Sequence, residues 1–250
     1  MARIVVIGGT GLIGSKLVSQ LTEQGNEAIA ASPNSGVNTL TGEGLADVLT
    51  DAQVIVDVSN SPSFEEKEVL NFFTTSTTNL LAAATIAGVA HYVALSVVGT
   101  ERLAESPYFR AKIAQEKLIK RSGIAYSIVH ATQFFEFVQS IANAAVVNGE
   151  VHASPARIQP IAADDVATAV GQTATGEPIN GTIEVAGPEQ FGLDELISKS
   201  LNLDGDPRTV VTDPEARYFG AKLQERTLVP DRGALTFPTR FEDWAARPST

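Results

Sequence analysis

The chain has 250 residues, 44% hydrophobic and 19% charged, which is enough apolar surface for a sizeable core and too little charge for a disordered polymer. A formal net charge of -11 argues against a nucleic-acid binder, because neutralising phosphates requires a basic surface. Cysteine is absent, which excludes disulfides and thiolate metal sites.

Along the first half, two hydrophobic periods alternate. Residues 3–7 are a β-branched run that predicts a strand, and a glycine turn leads from it into an amphipathic helix over 11–24. A weaker strand over 28–31, a helix over 43–49 and a strand over 53–58 follow. A helix over 65–87, a strand over 92–95, a helix over 107–121 and a strand over 126–129 complete this half. Gly25, Gly88 and Gly123 stand where helices should end, and Pro107 follows Ser106 as a first-turn proline follows its N-cap. Short apolar strands alternating with helices predict an α/β fold with a doubly wound, parallel, Rossmann-type sheet.

Beyond Thr132 the rhythm weakens. The pattern predicts a helix over 134–147, an extended piece over 157–161 and a helix opening at Ala163-Asp164-Asp165, whose carboxylates suit a helix N-terminus. A strand over 182–185, helices over 193–201 and 214–223, and a last turn over 241–246 follow. No linker or repeat divides the chain. It reads as one domain, with 1–131 as the Rossmann core and 132–250 as remaining sheet elements and a small C-terminal cap on the substrate side. The start lacks the apolar run of a signal peptide and no stretch suits a bilayer span, so the expected setting is cytoplasmic, without membrane or nucleic acid as partner. The three histidines are isolated, and no metal site is expected.

Gly8-Gly9-Thr10-Gly11-Leu12-Ile13-Gly14 lies directly after the first strand and opens the first helix. Glycines at 8, 11 and 14 permit a sharp turn, a close backbone approach to a pyrophosphate and tight helix packing, in that order. Backbone donors at the helix start give an acidic protein a local anion site, so the stretch predicts dinucleotide binding. At the end of the second strand, an acidic residue would favour NAD and an arginine NADP. Ser32-Pro33-Asn34-Ser35 offers neither. With no carboxylate to repel a 2′-phosphate and with Ser32, Asn34 and Ser35 as donors, the balance tips towards NADP(H) over NAD(H).

Tyr108 and Lys112 are four apart on a predicted helix and share a face. An ammonium near a phenol favours the phenolate, and such a pair suits proton transfer to a carbonyl oxygen. Ser96 follows the fourth strand, at the carboxyl end of the sheet where ligands bind in open α/β folds.

These stretches together resemble the short-chain dehydrogenase/reductase superfamily, in particular its atypical NmrA-like branch. The glycine turn is similar to that branch's cofactor loop, Val93-Ala94-Leu95-Ser96 to its fourth strand, and Tyr108-Phe109-Arg110-Ala111-Lys112 with Glu116 to its active-site helix. The stretches 122–129, 161–167 and 182–188 are similar too, so the resemblance runs the whole length. It implies Tyr108 as acid/base, Lys112 on the nicotinamide ribose and Ser96 near the substrate oxygen. Val58, Ser59 and Asn60 would line the nicotinamide side, and Thr132, Gln133 and Phe134 would border the substrate. The implied activity is reduction of a small, mostly apolar carbonyl or quinone by NAD(P)H. A non-catalytic redox sensor, an isomerase or epimerase with bound cofactor, and assembly as a homodimer are the other expectations.

Overall fold

The computed structural model describes residues 1–247. Five strands and four helices alternate through the first half: β1 (Arg3–Ile7), α1 (Leu12–Glu23), β2 (Glu27–Ala31), α2 (Leu45–Val48), β3 (Val54–Asp57), α3 (Glu66–Ala87), β4 (His91–Val97), α4 (Pro107–Arg121) and β5 (Tyr126–Ala131). The second half adds α5 (Val138–Ala144), α6 (Ala163–Thr175) and α7 (Leu193–Leu203) among short strands. Seven parallel strands form the central sheet in the order β2-β1-β3-β4-β5, then Gly181–Ala186 and Leu235–Thr236. The sheet is doubly wound, and the winding reverses at β1 and β3, whose carboxyl ends therefore open a crevice.

Residue parity decides which helix covers which face. Ile4, Val6, Val56, Val93 and Val129 point to one side and pack against α1 and α6 through Ile13, Leu17, Leu21, Val166 and Val170. Their neighbours Val5, Ile7, Ile55, Tyr92, Ala94 and Ile128 point to the other and meet α2, α3 and α4 through Leu45, Leu80, Leu81, Ala84 and Ile119. With both faces covered, the central strands are mainly apolar, and polar residues among them such as Asp57 and Ser96 are buried. Each large side chain fully buried this way contributes about 1.5–3 kcal/mol. Among the described residues no helix is long and apolar enough to cross a membrane.

Two helices expected in the C-terminal part are not formed as the periodic reading has them. The helix expected over 134–147 is a short 3-10 turn, Phe135–Phe137, followed by α5 alone. Phe134 is held extended by a bridge to Ile161, which delays the helix. At the other end Asn148 and Gly149 both adopt positive φ and fold Val146–Val147 back onto Glu150–Ala153, the turn chemistry that an Asn-Gly pair favours. The helix expected over 214–223 is a hairpin of Arg217–Tyr218 against Ala221–Lys222, turned by Phe219 at φ 45° and Gly220 at φ 88°. A second core forms here, where Phe109 and Leu103 meet Phe135, Val138, Leu196, Tyr218 and Phe241, and it fixes the cap to the start of α4.

Candidate functional site

The glycine turn fills the crevice at the end of β1. Gly8 takes φ +78°, and its N–H and that of Gly9 donate to the Ala31 carbonyl at 2.9 and 3.3 Å, tying the turn to the end of β2. A Cβ on Gly14 would stand 2.6 Å from the Cα of Gly9, so α1 starts directly against the turn. Gly9 is equally constrained, since its Cβ would lie 2.6 Å from the Cα of Ala30. The glycine spacing did not single it out. Gly11 is the N-cap of α1, with no side-chain cap bond and no acidic residue in the first turn. The backbone N–H groups of Leu12, Ile13 and Gly14 thus face outward as an uncapped, positive helix end, which fits the pyrophosphate of a dinucleotide. Thr10 and Leu12 are exposed at its rim, whereas Ile13 anchors the helix in the core.

At the end of β2, Ser32 is buried and Asn34 is exposed. The Ser35 hydroxyl is committed to the backbone: it accepts from Ser32 N at 2.9 Å and donates to the Ser32 carbonyl at 3.0 Å. Ser32 Oγ, Thr132 Oγ1 and both amide atoms of Gln133 are among the buried polar atoms of the described residues that have no hydrogen-bond partner. Buried polar atoms are rarely left so, and such positions are where ligands or water complete the bonding. These unpaired groups stand at the carboxyl ends of β2 and β5, flanking the crevice.

The loop after β3 passes beneath the turn. Val58 N donates to the Ile7 carbonyl at 3.0 Å, and a Cβ on Gly8 would touch the backbone of Ser59 at 2.9 Å. The next residue, Asn60, accepts a hydrogen bond from the Tyr108 hydroxyl at 3.2 Å. The structure thereby brings Tyr108 of α4 to the same edge as the glycine turn. Phe73 and Phe109 meet its ring edge-on, at 5.9 and 5.4 Å between centroids. Phe64, 58% exposed, lies 5.5 Å from Tyr108 and stacks on Phe219 of the cap hairpin at 6.1 Å. A bulky residue such as Phe219 at positive φ is costly, and such strain persists where the surroundings demand it. Burial pushes the Tyr108 phenol up, so it stays protonated through the neutral range.

Lys112 points inward instead of towards that hydroxyl. Only 2% exposed, its Nζ donates to the Leu95 carbonyl at 2.9 Å and to Gln115 Oε1, and it lies 4.5 Å over the Phe73 ring. Burial lowers its pKa to about 8, with Asp57 and Glu116 pulling the other way. Ser96 shares the parity of Tyr92 and Ala94 and so faces α4, where its hydroxyl donates to Glu116 Oε1 at 2.7 Å. The structure joins Ser96 to Glu116, one turn beyond Lys112, and does not join it to Tyr108. Phe134 stacks on Phe137 at 5.2 Å, while Phe135 turns away to pack on Phe241 and Trp244.

Glu116 also binds His130 Nε2 at 2.8 Å and Lys120 Nζ at 3.0 Å. Burial alone would raise its carboxyl; the bonds from His130, Ser96 and Lys120 outweigh it and bring the pKa down to about 2. A depressed carboxyl stabilises the fold above its ordinary value of 4.5 and loses that contribution as pH falls towards 2. Melting temperature followed across that window is therefore expected to fall steeply in the parent and less steeply in Glu116→Gln. Parallel curves would show that the network carries no linked stability.

A family model described as NAD(P)H-binding matches residues 8–176, and the chain belongs to that family. Among curated proteins it is similar to the Photosystem II assembly factor Ycf39 of Cyanophora paradoxa, 26% identical over 53% of this chain and 46% of that one. The Ycf39 of Synechocystis is 21% identical over 86% of this chain and 71% of that protein. The chain thus spans just under half of the first relative's length. Among solved structures, the NADPH-dependent quinone oxidoreductase QOR2 of Escherichia coli complexed with NADPH superposes with a TM-score of 0.68, at 18% identity over 90% of this chain and 93% of that one. MoeE5 in complex with UDP-glucose and NAD gives a TM-score of 0.70 at 16% identity, covering 98% of this chain and 92% of that one. At such identities the structural likeness concerns the fold alone.

Proposed function

We propose that this member of the NAD(P)H-binding family reduces a small, mostly apolar carbonyl or quinone, with Tyr108 as the proton donor. The observation that carries the reading is the Tyr108–Asn60 hydrogen bond, which sets a protonated phenol at the sheet edge beside an uncapped, glycine-built helix start. The reduced dinucleotide, when bound, supplies a hydride. Tyr108 gives its proton to the substrate oxygen, so that one hydride and one proton add across the carbonyl. Because burial raises the phenol's pKa, the side chain is protonated at neutral pH, which is the form that proton donation to the substrate oxygen requires. Lys112, one turn further along α4, brings a buried positive charge that offsets the phenolate left behind. Gln133, Thr132 and Phe134 border the substrate in this reading, and Ser96 acts on the site through Glu116. A panel of quinones and aldehydes, followed by loss of NADPH absorbance, tests it; oxidation of NADPH by at least one of them is expected.

NADP(H) is the better match of the two dinucleotides. No carboxylate follows β2 to repel a 2′-phosphate, and the unpaired Ser32 hydroxyl at the end of that strand supports the reading as a spare donor. Ser32→Asp is expected to weaken NADPH binding at least about tenfold and leave NADH binding unchanged or better, since it places a carboxylate against a dianion. Fluorescence titration of both variants with both cofactors checks this. Tighter binding of NADH than NADPH by the parent would reverse the assignment.

A second reading, a dinucleotide-binding factor without turnover, draws on the curated relatives, which are assembly factors by name. The inward-turned Lys112 also supports it, because the ammonium is already occupied by Leu95 and Gln115. Tight NADPH binding with no oxidation across the whole panel would favour this reading over the first.

A further inference from the structure

Asp57 ends β3 with 1% of its surface exposed. A buried carboxylate costs several kcal/mol unless donors meet it, and here four do. Oδ1 accepts from the Ser59 N–H at 3.0 Å and the Ser59 hydroxyl at 2.6 Å; Oδ2 accepts from the Tyr92 hydroxyl at 3.1 Å and the Gln115 amide at 3.0 Å. Two of these partners lead straight to the site. Ser59 precedes Asn60, the acceptor of the Tyr108 hydroxyl, and lies against Gly8. Gln115 spends its amide oxygen on the Lys112 ammonium.

We propose that Asp57 is the positioning residue of this site, holding Lys112 through Gln115 and the Asn60 loop through Ser59. The donor set explains why the position is an acid. Every bond to it is donated by the partner, and only an ionised carboxylate offers acceptors on both oxygens. An asparagine would turn an NH2 group against either Ser59 or Gln115, and leucine would strand all four donors. A carboxylate that served the fold alone would need no path to α4. This one connects the glycine turn, the phenol and the lysine across three elements.

Lys112 reports on the arrangement directly. The groups facing it are Asp57 from β3, Glu116 and the Gln115 amide oxygen from α4, the Phe73 ring from α3 and the Leu95 carbonyl from β4. Of the two carboxylates, Glu116 is already engaged by His130, Ser96 and Lys120, so Asp57 is the one whose loss Lys112 should feel most. The role of Asp57 in catalysis rests on the oxidoreductase reading, whereas its hold on Lys112 does not.

The test is the titration of Lys112 in the full chain, by NMR of selectively labelled lysine, assigned with Lys112→Arg, without cofactor or substrate. The parent midpoint is expected at about 8. Asp57→Asn is expected to move it down by about one unit or more, a tenfold loss in proton affinity, because removing a nearby negative charge disfavours the ammonium. Gln115→Met, which keeps the carboxylate and cuts only the bridge, should lower it as well and serves if Asp57→Asn does not fold. A midpoint within about 0.3 unit of the parent in a folded variant, less than the ordinary effect of a near charge, overturns the proposal. If the parent oxidises NADPH, the alkaline limb of its pH profile should move down in step with the NMR midpoint. A shifted midpoint in a protein whose parent fails to oxidise NADPH with every substrate of the panel sinks the oxidoreductase reading and leaves the positioning role standing.

Discussion

Tyr108→Phe is expected to lower NADPH-dependent turnover by about 10²–10⁴-fold, the usual worth of a positioned general acid, while leaving dinucleotide affinity within a few-fold of the parent. The ring stays, so the edge-on contacts to Phe73 and Phe109 and the tilted contact to Phe64 survive. What is lost is one hydroxyl and its bond to Asn60, a stability cost of about 1 kcal/mol that thermal melting can register separately. Activity and stability therefore part company in this variant. The pH dependence follows from the direction of the shift. Burial holds the phenol above its ordinary value, so it stays protonated through neutral pH and reductive turnover should not fall there on its account. Any loss of rate around pH 8 belongs to Lys112, whose ammonium gives up its proton near that point. A Phe variant as fast as the parent would move proton delivery to water or to another group.

Gly14→Ala is expected to abolish tight dinucleotide binding, raising the dissociation constant by at least about 100-fold, because two charge-assisted backbone bonds to phosphate are each worth about 1.5–3 kcal/mol. Its Cβ would stand 2.6 Å from Gly9 Cα and 2.8 Å from the Gly8 carbonyl carbon. Both obstacles are backbone, so α1 has to move off the turn and its first N–H groups lose their aim. Overpacking of this kind also costs about 1–3 kcal/mol of stability. Gly25→Ala separates the two effects. That glycine sits at φ +83° with open space around it, so the substitution strains the backbone by about 1–2 kcal/mol without touching the turn. Titration with NADPH should show weakened binding for Gly14→Ala alone, and melting should show a loss for both. Equal affinities in the two variants would mean that the glycine turn does not hold the phosphates.

The sheet was readable in the sequence because its strands are buried on both faces and so appear as plain apolar runs, from Arg3–Ile7 to Tyr126–Ala131. Leu235–Thr236 is too short to leave such a run. The two misread helices were hidden by composition, since Phe, Val and Ala suit either state. Asn148-Gly149 was the available signal for the first hairpin, and Gly220 after two aromatics for the second. At the site, the order of glycine turn, Ser96 and Tyr108–Lys112 was legible as spacing. Where Lys112 and Ser96 point was not, because that depends on which side of α4 meets α3 and β4. Asp57 left a trace that went unread: an acid inside the apolar run that forms β3 needs donors from elsewhere in the fold.

A crystal structure of the chain with NADPH tests the central claim most directly. The pyrophosphate is expected on the Leu12–Gly14 backbone, and the nicotinamide ring beside Asn60 with the Tyr108 hydroxyl facing it, leaving a space about 3 Å from that hydroxyl for a substrate oxygen. A nicotinamide ring lying outside the Phe64–Phe219 pair, with Tyr108 sealed behind those rings, would contradict it.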